Sequence, residues 1–314
     1  MGPHVSFESR GKASRFGLAI HMPARTVPWI LLTPAIALSI FLIVVPYGMS
    51  FFYAFTNAQL TSVTTASGVG FRNFSDLIHQ IEPAFSTEVI TTVAFTGFTV
   101  VGSLAAGTSL ALALYGVDSR IRAVLQALIL IPWTVAAVIT GYTWTFMYGA
   151  QIGFLNNFIE RLGGSGISWL LERWLAIGSL AVANVWASFG IVFLVITAAL
   201  ANVPENLLRA AQVDGAGPGK IMTKVLLPNI RQAFLLAFLV AAVSGLNVFD
   251  LIFVITGGGP VYQTETLPLL MYRQTFVNGD VGAGAAVTLI LFFMTAALAV
   301  AYVLAWQKES RKWS

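Results

Sequence analysis

The stretch PENLLRAAQVDGAGPGKIMTKVLLP, residues 204–228, is a polar, glycine-containing segment between two long apolar runs. Its glycines and lysine invite comparison with phosphate-binding loops, but their spacing is wrong. A loop of the form GxxxxGK[ST] needs a glycine five residues before Gly219 and a hydroxyl after Lys220, where Asp214 and Ile221 stand. The dinucleotide pattern GxGxxG also fails, because Lys220 takes the place of its third glycine. We therefore exclude nucleotide binding at this segment.

The same segment predicts two short helices joined by a turn. Pro204 suits the first turn of a helix, and Asp214–Gly215 ends it, because glycine tolerates the left-handed conformation of a sharp helix exit. The apolar side chains of this first helix fall on one face: Leu207, Leu208 and Ala211. The pattern alone leaves two interpretations open, a helix that lies on the membrane surface and a helix that docks onto another protein.

On both sides of this segment the chain is strongly apolar. Of its 314 residues, 57% are hydrophobic and 10% are charged, whereas a soluble domain carries about 25% charged residues. A membrane-spanning helix needs about 20 apolar residues. Six stretches reach that length: 29–53, 89–115, 124–148, 174–200, 232–256 and 283–306. We predict an all-α, polytopic membrane protein whose six transmembrane helices form one domain in the lipid bilayer, residues 29–306, between tails at 1–28 and 307–314.

The distribution of positive charge predicts the orientation of the spans. Of the 17 Lys and Arg residues, four lie in the loops after the first, third and fifth spans: Arg72, Arg161, Arg173 and Arg273. The others lie in the two tails and in the loops after the second and fourth spans. Because Lys and Arg are enriched on the cytoplasmic side, we place both termini and the 201–230 loop in the cytoplasm, with the protein in the cytoplasmic membrane. The basic character then reflects topology, and a nucleic-acid partner is not expected.

The sequence predicts no catalytic residue, no metal ligand and no cofactor bound by this chain. Cysteine is absent, and the three histidines, His4, His21 and His79, lie outside the apolar spans. The spans contain a single charged residue, Asp250. A membrane-embedded enzyme would need a buried histidine, a carboxylate pair or a metal cluster within the spans, and the sequence provides none of these there.

The 204–228 segment resembles the EAA loop of the permease subunits of binding-protein-dependent ABC importers. The matching positions are Ala210, Ala211, Asp214, Gly215, Ala216, Leu227 and Pro228. Arg209 stands where the family has its leading Glu, with Glu205 one turn earlier, and Met222 replaces the usual Phe. Three further stretches are similar to the maltose-type and glycerol-phosphate-type permeases of that family: GFRNF at 70–74, LILIPW at 128–133 and TGGGPVYQTETLPLLMYRQTF at 256–276.

This resemblance implies the type I permease fold of ABC importers, with a core permease domain at about 89–303 and a coupling loop at 201–230. The residues implied in coupling to an ATPase are Glu205, Arg209, Ala210, Ala211, Asp214, Gly215 and Ala216. The implied partners are a second homologous permease subunit, a dimer of cytoplasmic ATP-binding subunits that holds ATP and Mg, an extracytoplasmic solute-binding protein and a small-molecule sugar.

Residues for a substrate pathway are predicted on the third, fourth and fifth spans. A charged side chain within the bilayer costs about 2.5–3.5 kcal/mol on insertion scales, so Asp250 should face an aqueous cavity or a partner. With Ser244 and Asn247 it recurs every three residues, which predicts a polar stripe on one helix. Sugars bind to polar groups and to aromatic faces. The predicted pathway residues are Tyr142, Trp186, Ser188, Phe189, Asn247 and Asp250.

Two alternatives to these assignments stay open. The polar side chains within the spans could hydrogen-bond one helix to another, as is common in membrane bundles, and Asp250 could hold the fifth helix against a neighbour. The predicted function is non-enzymatic, the ATP-driven import of a carbohydrate or a related polyol or glycerol-phosphate solute. The alternative function is an ion-coupled secondary transporter, which usually has internal repeats and several ionisable groups within the membrane.

Overall fold

The computed structural model describes residues 27–80 and 84–311, apart from the side chains of residues 27, 28 and 30. Most of the predicted N-terminal tail, with His4 and His21, and residues 312–314 of the predicted C-terminal tail lie outside the described residues. The part of the chain that the structure describes consists of helices and irregular connections without a β-strand. The prediction of an all-α chain is confirmed.

Fifteen α-helices occur within the described residues. In chain order they are α1 Val27–Ser39, α2 Val45–Tyr53, α3 Arg72–Ile78, α4 Phe85–Ala113, α5 Ser119–Thr134, α6 Ala137–Met147, α7 Phe154–Arg161, α8 Arg173–Ala201, α9 Glu205–Val213, α10 Pro218–Ile221, α11 Leu227–Asn229, α12 Arg231–Leu246, α13 Asp250–Ile255, α14 Leu267–Tyr272 and α15 Val281–Ser310. Three π-helical turns extend or join them without a break: Ile40–Val44, Met222–Leu226 and Arg273–Val277.

The chain divides into two compact units, one up to Met49 and one from Ser50 onward. The described side chains of the first unit, on α1 and the residues that follow it, are apolar for the most part and exposed. Such a surface suits contact with hydrocarbon, because lipid tails are as apolar as the side chains themselves. The second unit contains the remaining helices.

In the part of the chain that the structure describes, four helical stretches are long and apolar enough to cross a membrane: Leu31–Tyr53, Phe85–Ala113, Arg173–Ala201 and Val281–Ser310. They confirm the predicted first, second, fourth and sixth spans. Within the second unit, α4 and α8 pack closely through small residues. A methyl group added to Gly107 would lie 2.8 Å from the backbone nitrogen of Phe193, and one added to Gly102 would lie 2.6 Å from the side chain of Val185. This close approach is the packing that small residues permit between membrane helices.

The predicted third span, 124–148, is not one straight helix. α5 and α6 are separate helices that meet at 90°. Val135 and Ala136 between them have extended backbones, with ψ angles of 132° and 138°. Pro132 precedes this bend and removes a backbone donor from the last turn of α5. The run of apolar side chains indicated a continuous span, but the backbone breaks where a proline weakens the hydrogen-bond ladder.

The predicted fifth span, 232–256, is also interrupted. α12 ends at Leu246 and α13 begins at Asp250. The Asn247 side-chain amide donates to the carbonyl of Val243 at 2.8 Å, so it takes the place of a backbone donor, as asparagine side chains often do at helix ends. The prediction that Ser244, Asn247 and Asp250 form one helical stripe is therefore wrong. Upstream, the 218–229 stretch and α12 meet at 67°.

Candidate functional site

The turn after α9 has the geometry that the sequence predicts. Gly215 has a φ of +74°, which is the left-handed conformation that glycine adopts without penalty. The Ala216 N–H donates to the Ala211 carbonyl at 2.9 Å, and the Gly215 N–H donates to the Gln212 carbonyl at 3.0 Å. These two bonds make a Schellman motif, which ends a helix with its last carbonyls satisfied. The predicted helix end at Asp214–Gly215 is confirmed.

A second short helix follows the turn after two residues. Gly217 is extended, with a φ of −72° and a ψ of 168°, and Pro218 begins α10. The N–H groups of Lys220 and Ile221 both donate to the Gly217 carbonyl, at 3.0 and 3.1 Å. Backbone hydrogen bonds thus fix the chain on both sides of residues 214–217. The connection between α9 and α10 is a stiff element and not a free loop.

The two short helices are anchored to the membrane helices by apolar contacts. Leu208 of α9 and Ile221 of α10 pack against a buried cluster that includes Val192, Phe193 and Ile196 of α8. The same cluster includes residues of α4 and α12. Because packed interiors transmit strain, a displacement of α9 reaches three of the membrane helices.

The opposite side of α9 is exposed. Leu207 is 43% exposed and Val213 is 87% exposed. Leu208 and Ala211 are half-buried, so the predicted apolar face of Leu207, Leu208 and Ala211 is divided between two sides of the helix. Sequence reasoning missed Val213. A large apolar side chain in a short polar helix could have indicated it as part of a contact surface. Exposed apolar residues on a small projecting helix are typical of a docking surface.

The predicted coupling residues occupy different environments. Ala211 and Ala216 are half-buried within the turn, whereas the other five are exposed: Glu205, Arg209, Ala210, Asp214 and Gly215. Arg209 donates to Glu205 at 2.7 Å, and both side chains are exposed, by 75% and 78%. The arginine that replaces the family's leading Glu is therefore paired with the carboxylate one turn earlier.

The predicted pathway residues of the fifth span lie at the break between α12 and α13. Asn247 and Asp250 are both exposed. Asp250 stands in the first turn of α13, where the positive end of a helix dipole favours a carboxylate. Its carboxylate has no hydrogen bond or ion pair with another described residue. An unpartnered carboxyl group thus lies within an apolar stretch, at the break between α12 and α13.

Aromatic rings surround this break. Phe249 stacks on Phe253 with ring centroids 5.2 Å apart, and Tyr272 lies 5.1 Å from Phe249 and 5.4 Å from Phe253. Phe276 continues the row, 5.3 Å from Tyr272. Sequence reasoning missed Tyr272, because it belongs to a different helix, α14. Together these rings form a broad apolar surface beside Asp250.

The predicted residues of α6 and α8 are only partly brought together. Trp186 is half-buried and lies 6.3 Å from Trp144, ring centroid to ring centroid. Trp186 and Phe249 pack against the same buried cluster, which places them at one junction of helices. Phe189 is half-buried, and Tyr142 is 67% exposed on α6.

Ser188 is engaged in contacts between helices. Its hydroxyl donates to the Asn184 carbonyl at 2.7 Å and lies 2.9 Å from the hydroxyl of Ser103 on α4. The Asn184 amide also reaches the hydroxyl of Thr99 on α4, at 3.4 Å. These bonds correspond to the interhelical alternative that the sequence left open for such polar groups.

Sequence reasoning missed a buried cluster of one arginine and two glutamic acid side chains. α4 begins at Phe85, so it includes Glu88, which lies just before the predicted start of the second span at 89. Glu88 and Glu265 are 0% and 1% exposed. Arg273 donates to the two oxygens of Glu265 at 2.8 and 2.9 Å and to Glu88 at 3.2 Å. The cluster joins residues 185 positions apart, so no local pattern indicates it.

The cluster fixes the connection between α13 and α14 against α4. Burial alone would lower the pKa of Arg273, but hydrogen bonds and attraction from Glu265, with attraction from Glu88, raise it above its ordinary value. Arg273 stays cationic at any physiological pH. A further bond runs from the Leu267 N–H to the Thr92 hydroxyl at 2.9 Å. The 256–276 stretch is thus held to α4 by charged and uncharged bonds.

Within the described residues, no group of three His, Asp or Glu side chains is arranged to hold a metal ion. The exposed carboxylates of Asp250 and Asp214 belong to separate parts of the chain. The described residues instead form three features suited to binding or to transmitting motion. They are the projecting helix α9, the polar break between α12 and α13 with its aromatic rings, and the 256–276 stretch anchored to α4.

The chain is similar to known transport proteins of one family. The family model for the binding-protein-dependent transport system inner membrane component matches residues 99–309. The chain is 30% identical over 277 residues to the trehalose/maltose transport system permease protein MalF of Thermococcus litoralis, covering 88% of this chain and 92% of the relative. It is 29% identical over 279 residues to the sulfoquinovosyl glycerol transport system permease protein SmoG of Agrobacterium fabrum, covering 89% and 90%.

Among solved structures, the chain is similar to a crystal structure of a bacterial ABC transporter involved in the import of the acidic polysaccharide alginate. The TM-score is 0.76 at 20% sequence identity, and the match covers 91% of this chain and 96% of that chain. At that level of identity the likeness concerns the fold. The predicted fold of an ABC importer permease is confirmed.

Proposed function

Because the chain belongs to the family of binding-protein-dependent transport system inner membrane components, we propose that it is the permease subunit of an ATP-driven importer for a carbohydrate solute. The observation that carries this proposal is the stiff turn after α9, which joins an exposed helix to the packed core of the membrane helices. Chains of this family are translocation subunits and not enzymes. ATP and Mg then belong to a partner chain.

In this proposal α9 is the coupling helix. Leu207 and Val213 form the apolar part of the surface that meets the ATPase, and Ala210 and Asp214 lie beside them. Leu208 and Ile221 pass the motion to α4, α8 and α12. Glu205 and Arg209 form an ion pair with each other, so the cleft of the ATPase meets this pair where the family pattern has its leading Glu.

The proposed partners are those that a binding-protein-dependent importer needs. They are a second homologous permease subunit, a dimer of ATP-binding subunits and an extracytoplasmic solute-binding protein. The stretch 256–276, anchored to α4 through Arg273, would face the binding protein. Its rigid anchoring supports that role, because a contact on an ordered surface loses less conformational entropy on binding.

The protein is a multi-pass component of the inner membrane. We place both termini and the coupling loop on the cytoplasmic side, because the Lys and Arg residues are concentrated there. This orientation puts α9 within reach of a cytoplasmic ATPase and the 256–276 stretch on the outer side.

Asp250 and its aromatic neighbours support a neutral sugar as the solute. Trp186, Phe249 and Tyr272 offer rings that cover the C–H faces of a sugar. Asn247 and the Asp250 carboxyl group offer hydrogen bonds to hydroxyl groups, with Tyr142 and Phe189 as further proposed pathway residues. Ser188, also predicted for the pathway, is instead proposed to bond α8 to α4. A carboxylate without a cation beside it would repel an anionic solute. Of the relatives' named solutes, trehalose and maltose fit this site better than a sulfonated or acidic sugar.

The test compares two glycine substitutions in the coupling turn. Gly215 has a φ of +74° and Gly217 a φ of −72°, and a Cβ at either position meets nothing within 4 Å. Gly215→Val and Gly217→Val therefore differ mainly in backbone strain, about 1–2 kcal/mol for a side chain in the left-handed region. We expect Gly215→Val to abolish ATP-driven uptake by the reconstituted complex while its amount in the membrane stays unchanged.

Gly217→Val should keep most of the uptake. Equal uptake by both variants at wild-type level would contradict the coupling assignment. Uptake that needs an ion gradient and no ATP would instead favour a secondary transporter.

A further inference from the structure

A groove opens where the ends of α4 and α8 meet the start of α5 and helix α9. It consists of two adjoining cavities of about 540 and 200 Å³. Both are lined by Tyr115, Arg122, Leu200 and Ala201, so they form one continuous space. None of the roles proposed above for this chain uses that space.

The two parts of the groove differ in chemistry. The larger part is bordered by polar and charged side chains of α9, Glu205, Arg209 and Gln212. The smaller part is lined mainly by apolar groups, among them Ala111 of α4 and Leu114 just after its end, and runs alongside α8. Its polar lining residues besides Tyr115 and Arg122 are Gln126 and Thr197. A space that is charged at one end and apolar at the other fits an amphiphile better than a free ion.

Arg122 supplies the positive charge of the groove. Its guanidinium group has no hydrogen bond, ion pair or ring contact with another described residue. Arg209 is already neutralised by Glu205 at 2.7 Å. The groove therefore carries one uncompensated positive charge, at the residue that borders both of its parts. Guanidinium groups bind phosphate with paired hydrogen bonds.

The apolar part contains a second unsatisfied group. The hydroxyl oxygen of Thr197 is buried and has no hydrogen-bond partner within the described residues. Buried hydroxyls are nearly always hydrogen-bonded in folded proteins, so this one points to a missing acceptor. In a glycerophospholipid the ester carbonyls lie next to the phosphate, toward the acyl chains, and they are acceptors.

The groove lies at the depth in the bilayer where the headgroup of a lipid is expected. It lies at the last turns of α4 and α8, where two long apolar helices end. The end of an apolar span marks the boundary between hydrocarbon and water. By the charge distribution this is the cytoplasmic leaflet, which is rich in anionic lipid.

We propose that this groove binds one anionic glycerophospholipid, with its phosphate on Arg122, an ester carbonyl on Thr197 and an acyl chain along α8. The lipid touches α9 from the membrane side. Its occupancy then sets how firmly the coupling helix is held against α4 and α8. The site lies within this chain alone, so its test does not depend on the proposed transport activity.

The experiment measures lipid binding to the full chain purified in detergent and stripped of lipid. Native mass spectrometry during titration with dioleoylphosphatidylglycerol gives the dissociation constant. Arg122→Gln should weaken binding roughly fivefold, the effect of one basic residue at a membrane surface. Arg120→Gln is the matched control, because Arg120 is exposed on the same helix and does not line the groove. It should bind the lipid as the wild type does.

Two further measurements separate the possible ligands. Thr197→Val should weaken binding of the lipid without lowering the stability of the stripped protein, because the hydroxyl is unsatisfied there. Dioleoylphosphatidylcholine should bind more weakly than the phosphatidylglycerol, and inorganic phosphate should not compete at millimolar concentration.

Equal weakening by Arg120→Gln and Arg122→Gln would overturn the site, as would equal binding of the zwitterionic lipid. Effective competition by inorganic phosphate would show an ion site and overturn the lipid assignment.

Discussion

Replacement of Arg273 by Met should destabilise the chain strongly, because it leaves two buried carboxyl groups without their hydrogen-bond donor. Arg273 makes three charged hydrogen bonds, two to Glu265 at 2.8 and 2.9 Å and one to Glu88 at 3.2 Å. Methionine keeps the length of the side chain and removes the charge. Glu88 and Glu265 are 0% and 1% exposed, so water does not replace the lost partner.

The expected magnitude follows from the burial of the cluster. Each hydrogen bond to a charged group contributes about 1.5–3 kcal/mol, and removal of one partner of a buried ion pair costs about 3–5 kcal/mol in total. We take about 4 kcal/mol for Arg273→Met. Domains of about 150–250 residues lose about 2–4 °C in Tm per kcal/mol, and a chain of 314 residues should lie at the lower end, so the Tm should fall by about 8 °C.

The assay is thermal unfolding of the purified chain in detergent, together with hydrogen exchange of residues 257–266. Arg161→Met is the matched control, because Arg161 is exposed and its loss should change the Tm little. Hydrogen exchange should quicken in the 257–266 loop of Arg273→Met alone. The double variant Arg273→Met, Glu88→Gln should recover part of the Tm, since it removes one of the two buried carboxyl groups that lost their hydrogen-bond partner. A fall no larger than that of Arg161→Met would refute the reasoning.

Three smaller predictions concern the membrane helices. Asp250→Asn should leave the amount of assembled complex unchanged and raise the KM for sugar roughly tenfold, because a charged hydrogen bond contributes about 1.5–3 kcal/mol. Loss of assembly at normal KM would show a structural role. Ser188→Ala should lower stability by about 1 kcal/mol through its bond to Ser103, measured by thermal unfolding, and a changed KM at full stability would contradict this. Gly107→Ala should destabilise the chain by about 1–3 kcal/mol through overpacking. Gly97→Ala should not, because a Cβ at Gly97 meets nothing within 4 Å. Equal Tm values for the two variants would be inconsistent with close packing at Gly107.

The elements that the sequence predicts correctly depend on local chemistry. The turn at Asp214–Gly215 is readable because a glycine must supply the positive φ of +74°. The four uninterrupted spans are readable because each needs only a long apolar run. The family resemblance of 204–228 also depends on a contiguous pattern, and the match of the family model to residues 99–309 agrees with it.

The elements that escape the sequence depend on tertiary contacts or on weak local signals. The break after Leu246 lies within a stretch that is apolar apart from Ser244, Asn247 and Asp250, and these polar residues do not by themselves indicate where the helix ends. Ser188 has the polarity of a pathway residue, but its partner Ser103 is 85 positions away. The pairing of Glu88 with Arg273 spans 185 positions. The packing of α4 against its neighbours brings such pairs together, and no periodicity along the chain predicts them.

In the proposed mechanism, a separate ATPase drives this chain through the exposed side of α9. The chain has no cysteine, so Val213→Cys and Val261→Cys each introduce a single thiol. These valines are 87% and 84% exposed, one on the proposed cytoplasmic helix and one on the proposed outer loop.

The decisive measurement is labelling of intact cells with a membrane-impermeant thiol reagent, followed by disulfide cross-linking of the purified complex. We expect the thiol of Val261→Cys to be labelled from outside, and the thiol of Val213→Cys to be protected in cells and to cross-link to the ATP-binding subunit. Labelling of Cys at 213 from outside the cell would contradict it.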